Sequence, residues 1–133
     1  MGRKEISALL ERHGIIPTPQ RLDIATIMLA EMHHLSADQV LARVNGKGHA
    51  VSKATVYNTL GLFAEKGLIR QVIVDPTKVF YDSNTGEHYH FYNVDTGTLI
   101  DLPSESLPIA DLPVAPAGTI AEGVDVIVRI RNK

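Results

Sequence analysis

The sequence predicts an α+β protein, with an N-terminal winged helix-turn-helix followed by a small α/β dimerisation domain. Two observations predict this class. Segments with apolar residues at helical spacing fill the first half of the chain and lead into a predicted hairpin. After residue 82 the pattern changes to short strands around a Pro-rich stretch. We therefore expect two domains, residues 1–82 and residues 83–133.

Four helices are predicted, each with a start or a stop signal. Thr18 caps the second helix, with Pro19 at the first helical position, and residues 36–39 form a capping box for the third. Ser52 caps the fourth helix, whose core face is Val56, Leu60 and Phe63. The predicted helices cover residues 3–13, 19 to about 32, 37–45 and 53–66.

Five strands are predicted. Residues 68–74 and 78–82 form a hairpin around residues 75–77, and later strands cover residues 87–94, 98–102 and 124–128. In the last strand Val124, Val126 and Val128 alternate with Asp125 and Ile127, which is apolar enough for both faces to be covered. We expect a second subunit to bury one of these faces in a dimer, and the alternative is a strand in the core of a monomer.

Composition limits the class of protein. The 133 residues are 44% hydrophobic and 21% charged, which is typical of a globular chain. No apolar run approaches the roughly 18 residues of a membrane span, and the N-terminus lacks the apolar core of a signal peptide. We therefore expect a cytoplasmic protein with no membrane partner. The absence of cysteine excludes disulfides and cysteine-based zinc sites.

The charge is distributed unevenly along the chain. Residues 1–80 carry ten Lys and Arg against seven Asp and Glu, whereas residues 81–133 carry three against eight. A net charge of +3 in the first part and −5 in the second is expected if the first contacts phosphate and the second holds cations.

The fourth helix has a face suited to reading DNA. Ala54, Tyr57, Asn58 and Gly61 lie roughly opposite its core face at 100° per residue. Two small residues allow a close approach, while Tyr57 and Asn58 offer a flat ring and a bidentate amide for base edges or thymine methyls. The alternative is an ordinary solvent-exposed face.

Two cations stand where a helix disfavours them. Arg21 and Lys53 lie in the first turns of the second and fourth helices, where the macrodipole opposes positive charge. Phosphate oxygens would compensate, because they accept from the basic side chain and from the free N-terminal amides together.

Two histidines share one face of a predicted strand. His88 and His90 are two residues apart, so their side chains converge. With a two-residue turn at residues 96–97, Asp101 falls on the same face, diagonal to His90, and a three-residue turn reverses this. The pair is either a metal site or an exposed polar face.

Four segments resemble a known family in order and spacing. They are residues 14–21 (GIIPTPQR), 34–38 (HLSAD), 52–60 (SKATVYNTL) and 67–69 (GLI), and they resemble the Fur family of metal-responsive repressors. The resemblance covers most of the chain. It implies a homodimer on double-stranded operator DNA, with the fourth helix in the major groove. The candidate DNA-contacting residues are Arg21, Ser52, Lys53, Thr55, Tyr57 and Asn58.

The resemblance also implies a regulatory metal site with ligands from both domains. Three imidazoles and two carboxylates suit five- or six-coordinate Fe(II) or Mn(II), with zinc a further candidate in the purified protein. An ion shared by both domains would fix the angle between them and hence the spacing of two recognition helices. The implied ligands are His34, Asp82, His88, His90 and Asp101.

Two branches of the family are similar to this chain. Asp82 and the His-Tyr-His arrangement resemble the PerR branch. The lack of cysteine and residues 88–92 (HYHFY), 99–103 (LIDLP) and 126–131 (VIVRIR) resemble the Irr branch, which is associated with haem. Haem is thus a second candidate cofactor, with His88 or His90 as axial ligand, although the usual Cys-Pro motif is absent. Residues 93–96 (NVDT) stand where many relatives have Cys-x-x-Cys for structural zinc.

The sequence therefore predicts a DNA-binding transcriptional repressor that responds to Fe(II) or Mn(II), controlling iron or manganese homeostasis or the peroxide response. We do not expect an enzyme, because no second set of residues stands ready as acid, base or nucleophile. The alternatives are a haem-responsive Irr-type regulator, a small non-haem metal enzyme and a winged-helix protein with structural histidines.

Overall fold

A computed structural model describes residues 1–30, 34–46, 51–86, 89–107 and 112–133. The chain divides into two compact units, an N-terminal unit Met1–Thr85 and a C-terminal unit Gly86–Lys133. Helices and a small sheet form the first and a second sheet forms the other, so the α+β class is confirmed. His88 and the predicted end of the second helix lie outside the described residues.

In its described residues, the N-terminal unit packs four helices around one apolar core. Ile24, Val56, Leu60 and Phe63 are all fully buried in that core. The Thr18 and Ser36 side chains accept hydrogen bonds from the backbone N–H groups of Arg21 and Gln39, so the predicted caps are confirmed. No helix among the described residues is long and apolar enough to cross a membrane. The helices are α1 (Arg3–Arg12), α2 (Pro19–Leu29), α3 (Ala37–Asn45) and α4 (Lys53–Glu65).

The sheet of the N-terminal unit has three antiparallel strands, β1 (His34–Ser36), β2 (Arg70–Asp75) and β3 (Lys78–Asp82), in the order β1-β3-β2. The predicted β2–β3 hairpin is confirmed. Strand β1 was not predicted, because three residues are too few to show alternation and only Leu35 is buried among them.

The C-terminal unit contains a mixed sheet of three strands, β4 (Tyr89–Asn93), β5 (Thr98–Leu102) and β6 (Ile127–Ile130), in the order β5-β4-β6. Strand β4 is central, antiparallel to β5 and parallel to β6. A short 3-10 helix, Ser104–Ser106, follows β5.

The β4–β5 turn is longer than predicted. Asn93 pairs with Thr98 and His90 pairs with Asp101, so four residues form the loop, where the sequence left a two-residue and a three-residue turn open. The Asn93 side-chain oxygen accepts hydrogen bonds from the backbone N–H groups of Asp95 and Thr96, and Gly97 adopts a positive φ of 69°. Compared with a two-residue turn, the register is shifted by two residues. Asp101 therefore stays on the same face as His90 and lies directly opposite it.

Strand β6 begins three residues later than predicted. Its ladder pairs Ile127 with His90, and the described part of β4 begins only at Tyr89. Of the predicted strand 124–128, Val126 contributes a carbonyl that accepts from the His90 N–H group. Alternation predicted a strand here but not the residue at which pairing starts.

A hydrogen-bonded clasp, formed by Asn93, Asp95 and Asn132, fastens the end of the chain to the β4–β5 turn. The buried Asn93 amide donates to Asn132 Oδ1 at 2.9 Å. The backbone N–H of Asn132 donates to Asp95 Oδ2 at 2.9 Å, and the N–H of Val94 donates to the Ile130 carbonyl. The clasp thereby holds β6 beside β4 with no cysteine.

We predict that Asn132→Ala destabilises β6 by about 1–3 kcal/mol of opening free energy, because the buried Asn93 amide loses its acceptor. Hydrogen exchange of the backbone amides in residues 124–133 measures this. Arg131→Ala, at the exposed neighbouring position, is the matched control and should leave exchange unchanged. Equal exchange in both variants would contradict a role for the clasp.

Candidate metal centre and nucleic-acid interface

Helix α4 presents an exposed face as predicted. The Ser52 hydroxyl accepts a hydrogen bond from the Thr55 backbone N–H at 3.1 Å and lies 2.9 Å from the Thr55 hydroxyl, which fixes the first turn. With the core face buried in the unit, the opposite face is open to solvent. The exposed residues on it are Ala54, Tyr57, Asn58 and Gly61.

The start of α4 is also tied to the end of α3. Asn45, the last residue of α3, accepts from the Val51 N–H at 2.9 Å and donates to the Val51 carbonyl at 3.3 Å. This two-point contact precedes the Ser52 cap directly. Sequence reasoning missed it, because an Asn near a helix end indicates only a stop.

The two cations in first turns have partners within the chain. Arg21 donates to the Ile16 carbonyl at 2.8 Å. Lys53 Nζ lies 3.4 Å from Asp38 Oδ1 and 5.6 Å from the centroid of the Tyr57 ring. Groups within the chain therefore compensate part of these charges, and the expectation of phosphate contacts stays a prediction. Both side chains nevertheless stand at helix N-termini, where an anion can also contact backbone N–H groups.

The β2–β3 hairpin ends in a turn held by Asp75. Its carboxylate accepts from the Thr77 hydroxyl and from the Thr77 backbone N–H, both at 2.7 Å, and these bonds lower the pKa of Asp75. On β3, burial raises the pKa of the Tyr81 hydroxyl, and the nearby Tyr57 raises it further.

The first histidine–carboxylate pair joins β1 to β3. His34 and Asp82 are directly opposite in the register, with His34 Nε2 3.1 Å from Asp82 Oδ2. The other oxygen, Asp82 Oδ1, accepts from the Asn84 N–H at 2.8 Å, which turns Oδ2 towards the imidazole. Asp82 is only 1% exposed. Sequence reasoning missed Asn84, although Asp-x-Asn after a strand indicates such a turn.

The second pair joins β4 to β5. His90 and Asp101 are directly opposite in the register, with His90 Nε2 3.7 Å from Asp101 Oδ1. His90 is 1% exposed, whereas Asp101 is exposed. This unit therefore repeats the cross-strand arrangement of the first.

Both pairs have donor chemistry that fits a divalent ion. An octahedral ion with bonds of about 2.1 Å places neighbouring ligand atoms about 3 Å apart. The two His–Asp distances, 3.1 and 3.7 Å, require little adjustment to meet this. The described side chains that could hold a metal are His34, Asp82, His90 and Asp101.

The sequence matches a family of metal-responsive regulators. The profile of the ferric uptake regulator family matches residues 12–112. The peroxide operon regulator of Bacillus subtilis (strain 168) is 34% identical over 98 residues, which cover 74% of this chain and 68% of that protein. The chain belongs to the ferric uptake regulator (Fur) family. The peroxide-responsive repressor PerR of Staphylococcus epidermidis is 30% identical over the same length, and the chain spans about two thirds of each relative.

Solved structures of this family share the fold. The ferric uptake regulator of Pseudomonas aeruginosa with manganese is similar with a TM-score of 0.71 and 24% identity, over 96% of this chain and 97% of that one. The regulator of Francisella tularensis with iron gives a TM-score of 0.73 at 21% identity, over 90% and 93%. The expected winged helix-turn-helix followed by a small α/β domain is confirmed.

Membership of the Fur family settles the class of activity. Fur proteins are metal-responsive transcriptional regulators that bind operator DNA, typically as dimers. They are not enzymes, so the expectation of a non-enzymatic regulator is confirmed and the non-haem enzyme alternative is wrong.

We predict that Ser52→Ala lowers the free energy of unfolding by about 1 kcal/mol, because α4 loses its N-cap acceptor. Urea unfolding followed by circular dichroism measures this. Ser7→Ala, inside α1, is the control and should be neutral or slightly stabilising, because Ala favours helix interiors. A Ser52→Ala variant as stable as Ser7→Ala would show that the cap does not hold α4.

Proposed function

We propose that this chain is a homodimeric, cytoplasmic repressor that binds double-stranded operator DNA according to its Fe(II) or Mn(II) occupancy. The observation that carries the proposal is the repeated cross-strand His–Asp pair, one in each unit. Of the responses open to such a regulator, the peroxide response is favoured, because the chain is similar to the peroxide operon regulator of Bacillus subtilis.

The proposed regulatory site takes one ion and draws ligands from both units. The internal geometry of each pair supports this, since two imidazoles and two carboxylates are ligands that suit Fe(II) or Mn(II). If one ion takes ligands from both pairs, it binds only to conformations in which the two pairs lie close together. Metal binding therefore increases the population of those conformations. The proposed ligands are His34, Asp82, His88, His90 and Asp101, of which His88 lies outside the described residues.

The proposed DNA interface is the exposed face of α4 with the N-terminus of α2. Tyr57 and Asn58 are exposed and can reach base edges in a major groove, while Arg21 and Lys53 stand at helix N-termini suited to phosphate. Ser52 and Thr55 hold the first turn of α4. These six residues are the proposed contacts, and base contacts at Tyr57 and Asn58 would set the sequence preference.

The proposed dimer surface is one face of the C-terminal sheet. Phe91 lies opposite Ile100 on one side and Val128 on the other, so an apolar row crosses all three strands. Ile100 is 48% exposed and Val128 is 36% exposed. A second copy would remove this row from water, and symmetric dimers are the usual state of repressors that read two half-sites.

The donor chemistry favours an ion over haem as the effector. Each described histidine of the proposed site lies opposite a carboxylate, and His90 is almost completely buried. An axial haem ligand needs an open side for the macrocycle. Titration of the protein with haem, followed for a Soret band, tests the Irr-type alternative.

We predict that His90→Ala removes the effect of Mn(II) on DNA affinity, because the site loses a buried imidazole ligand. Even loss of a residue that only supports a ligand costs about 10–100-fold in metal affinity. The measurement is anaerobic fluorescence anisotropy on a duplex from the upstream region of its own gene, with chelator and then with Mn(II). His13→Ala, at the half-buried C-cap of α1, is the matched control.

The control variant should respond to Mn(II) as the wild type does, and circular dichroism should show both variants folded. A His90→Ala protein that keeps the full Mn(II) response would exclude His90 from the site. An unfolded His90→Ala protein would assign the histidine a structural role.

We predict that Tyr57→Ala weakens binding to the operator by about 1–3 kcal/mol if the ring contacts a base. Binding to a scrambled duplex should change much less, so the ratio of the two affinities should fall. Glu65→Ala, at the exposed end of α4, should leave the ratio unchanged. Equal loss on both duplexes would place Tyr57 against the DNA backbone instead.

A further inference from the structure

The Asp38 carboxylate lies beside Lys53, the basic residue at the start of α4. Lys53 Nζ lies 3.4 Å from Asp38 Oδ1, and the two side chains are 64% and 67% exposed. The same ammonium group lies 5.6 Å from the centroid of the Tyr57 ring. Asp38, Lys53 and Tyr57 therefore form one surface cluster, which joins the first turn of α3 to the exposed face of α4.

Stability does not explain this pairing. Exposed ion pairs contribute little to folding, because water screens them and two long side chains lose freedom. The start of α3 is already secured by Ser36, which accepts from the Gln39 N–H, and by Gln39, whose side chain accepts from the Ser36 N–H. The Asp38 carboxylate, although favourable in the first turn of α3, is not part of this cap, and it lies beside a proposed phosphate-binding cation.

We propose that Asp38 limits the affinity of α4 for DNA by competing with phosphate for Lys53. The inference rests on the proposed function of this helix face. A phosphate that approaches Lys53 meets the Asp38 charge a few ångströms away and must displace it from the ammonium group. Asp38 therefore weakens the electrostatic part of binding.

The effect of Asp38 falls on affinity and leaves sequence preference unchanged. Phosphate contacts position a protein on DNA but carry no sequence information. Competition at one phosphate contact should therefore lower the affinity for operator DNA and for scrambled DNA by the same factor. This separates Asp38 from Tyr57 and Asn58, which are proposed to read bases.

The test compares the Asp38→Asn variant with the wild type, using the full chain loaded with Mn(II). Anisotropy is measured on the upstream duplex and on a scrambled duplex across a series of salt concentrations. Removal of the Asp38 charge about 7 Å from a phosphate in water should by itself tighten binding to both duplexes about threefold at low salt, and the release of Lys53 should add to this. The slope of log affinity against log salt should steepen by up to about 0.9, because Lys53 then neutralises one phosphate fully.

Two further variants isolate the cause. Glu65→Gln makes the same change in net charge about 18 Å away along α4, so it should alter affinity much less. In a Lys53→Met background, Asp38→Asn should give a smaller gain than in the wild type, because only the direct repulsion of phosphate remains and the residue for which Asp38 competes is gone.

Unchanged affinity in Asp38→Asn would overturn the inference and leave the proposed function standing. An equal gain in the wild-type and Lys53→Met backgrounds, or a gain that Glu65→Gln reproduces, would overturn it also, because charge repulsion alone would then explain the tightening. A wild-type protein that binds neither duplex would refute the proposed function, and the inference would fail with it.

Discussion

The proposed site depends on one constraint, the placement of a histidine directly opposite an aspartate on a neighbouring strand. The β1–β3 register does this for His34 and Asp82, and the β4–β5 register does it for His90 and Asp101. Because side chains alternate between the faces of a sheet, a shift of one residue in either register would separate its pair. The Asn93 turn fixes the second register through two hydrogen bonds, and the Asn132 clasp secures β6 on the other side of β4.

Within the N-terminal unit, the His34–Asp82 pair and the proposed DNA-binding face of α4 are linked by a short chain of contacts. His34 begins β1, and the same strand ends at Ser36, which caps α3. The last residue of α3, Asn45, holds Val51 at two points, and Ser52 then caps α4. Energetic coupling between the two sites requires two conformations whose populations are shifted both by metal binding and by DNA binding. The contacts place His34 two residues before the cap of α3.

Most of the helical unit could be predicted from the sequence, and the strands less completely. Helix α4 was predictable because three independent signals indicate the same helix. They are the Ser52 cap, the apolar positions 56, 60 and 63, and the stop at Gly67. Strand β1 was not predictable, because it exists only through pairing with β3, a partner about 45 residues away in sequence. The face of Asp101 depended on the length of the turn, which the sequence left open, since the side-chain role of Asn93 in the turn has no periodic signal. The partner of Lys53 was missed for a similar reason, because Asp38 belongs to another helix.

The central claim is that one ion takes its ligands from both His–Asp pairs. The most direct measurement is anomalous X-ray scattering at the manganese edge from crystals of the Mn(II)-loaded protein. We expect one manganese peak per chain, bonded to His34, Asp82, His90 and Asp101 and to the additional histidine at position 88. A manganese bound by the residues of one unit alone, or two separate ions on the two pairs, would contradict the account.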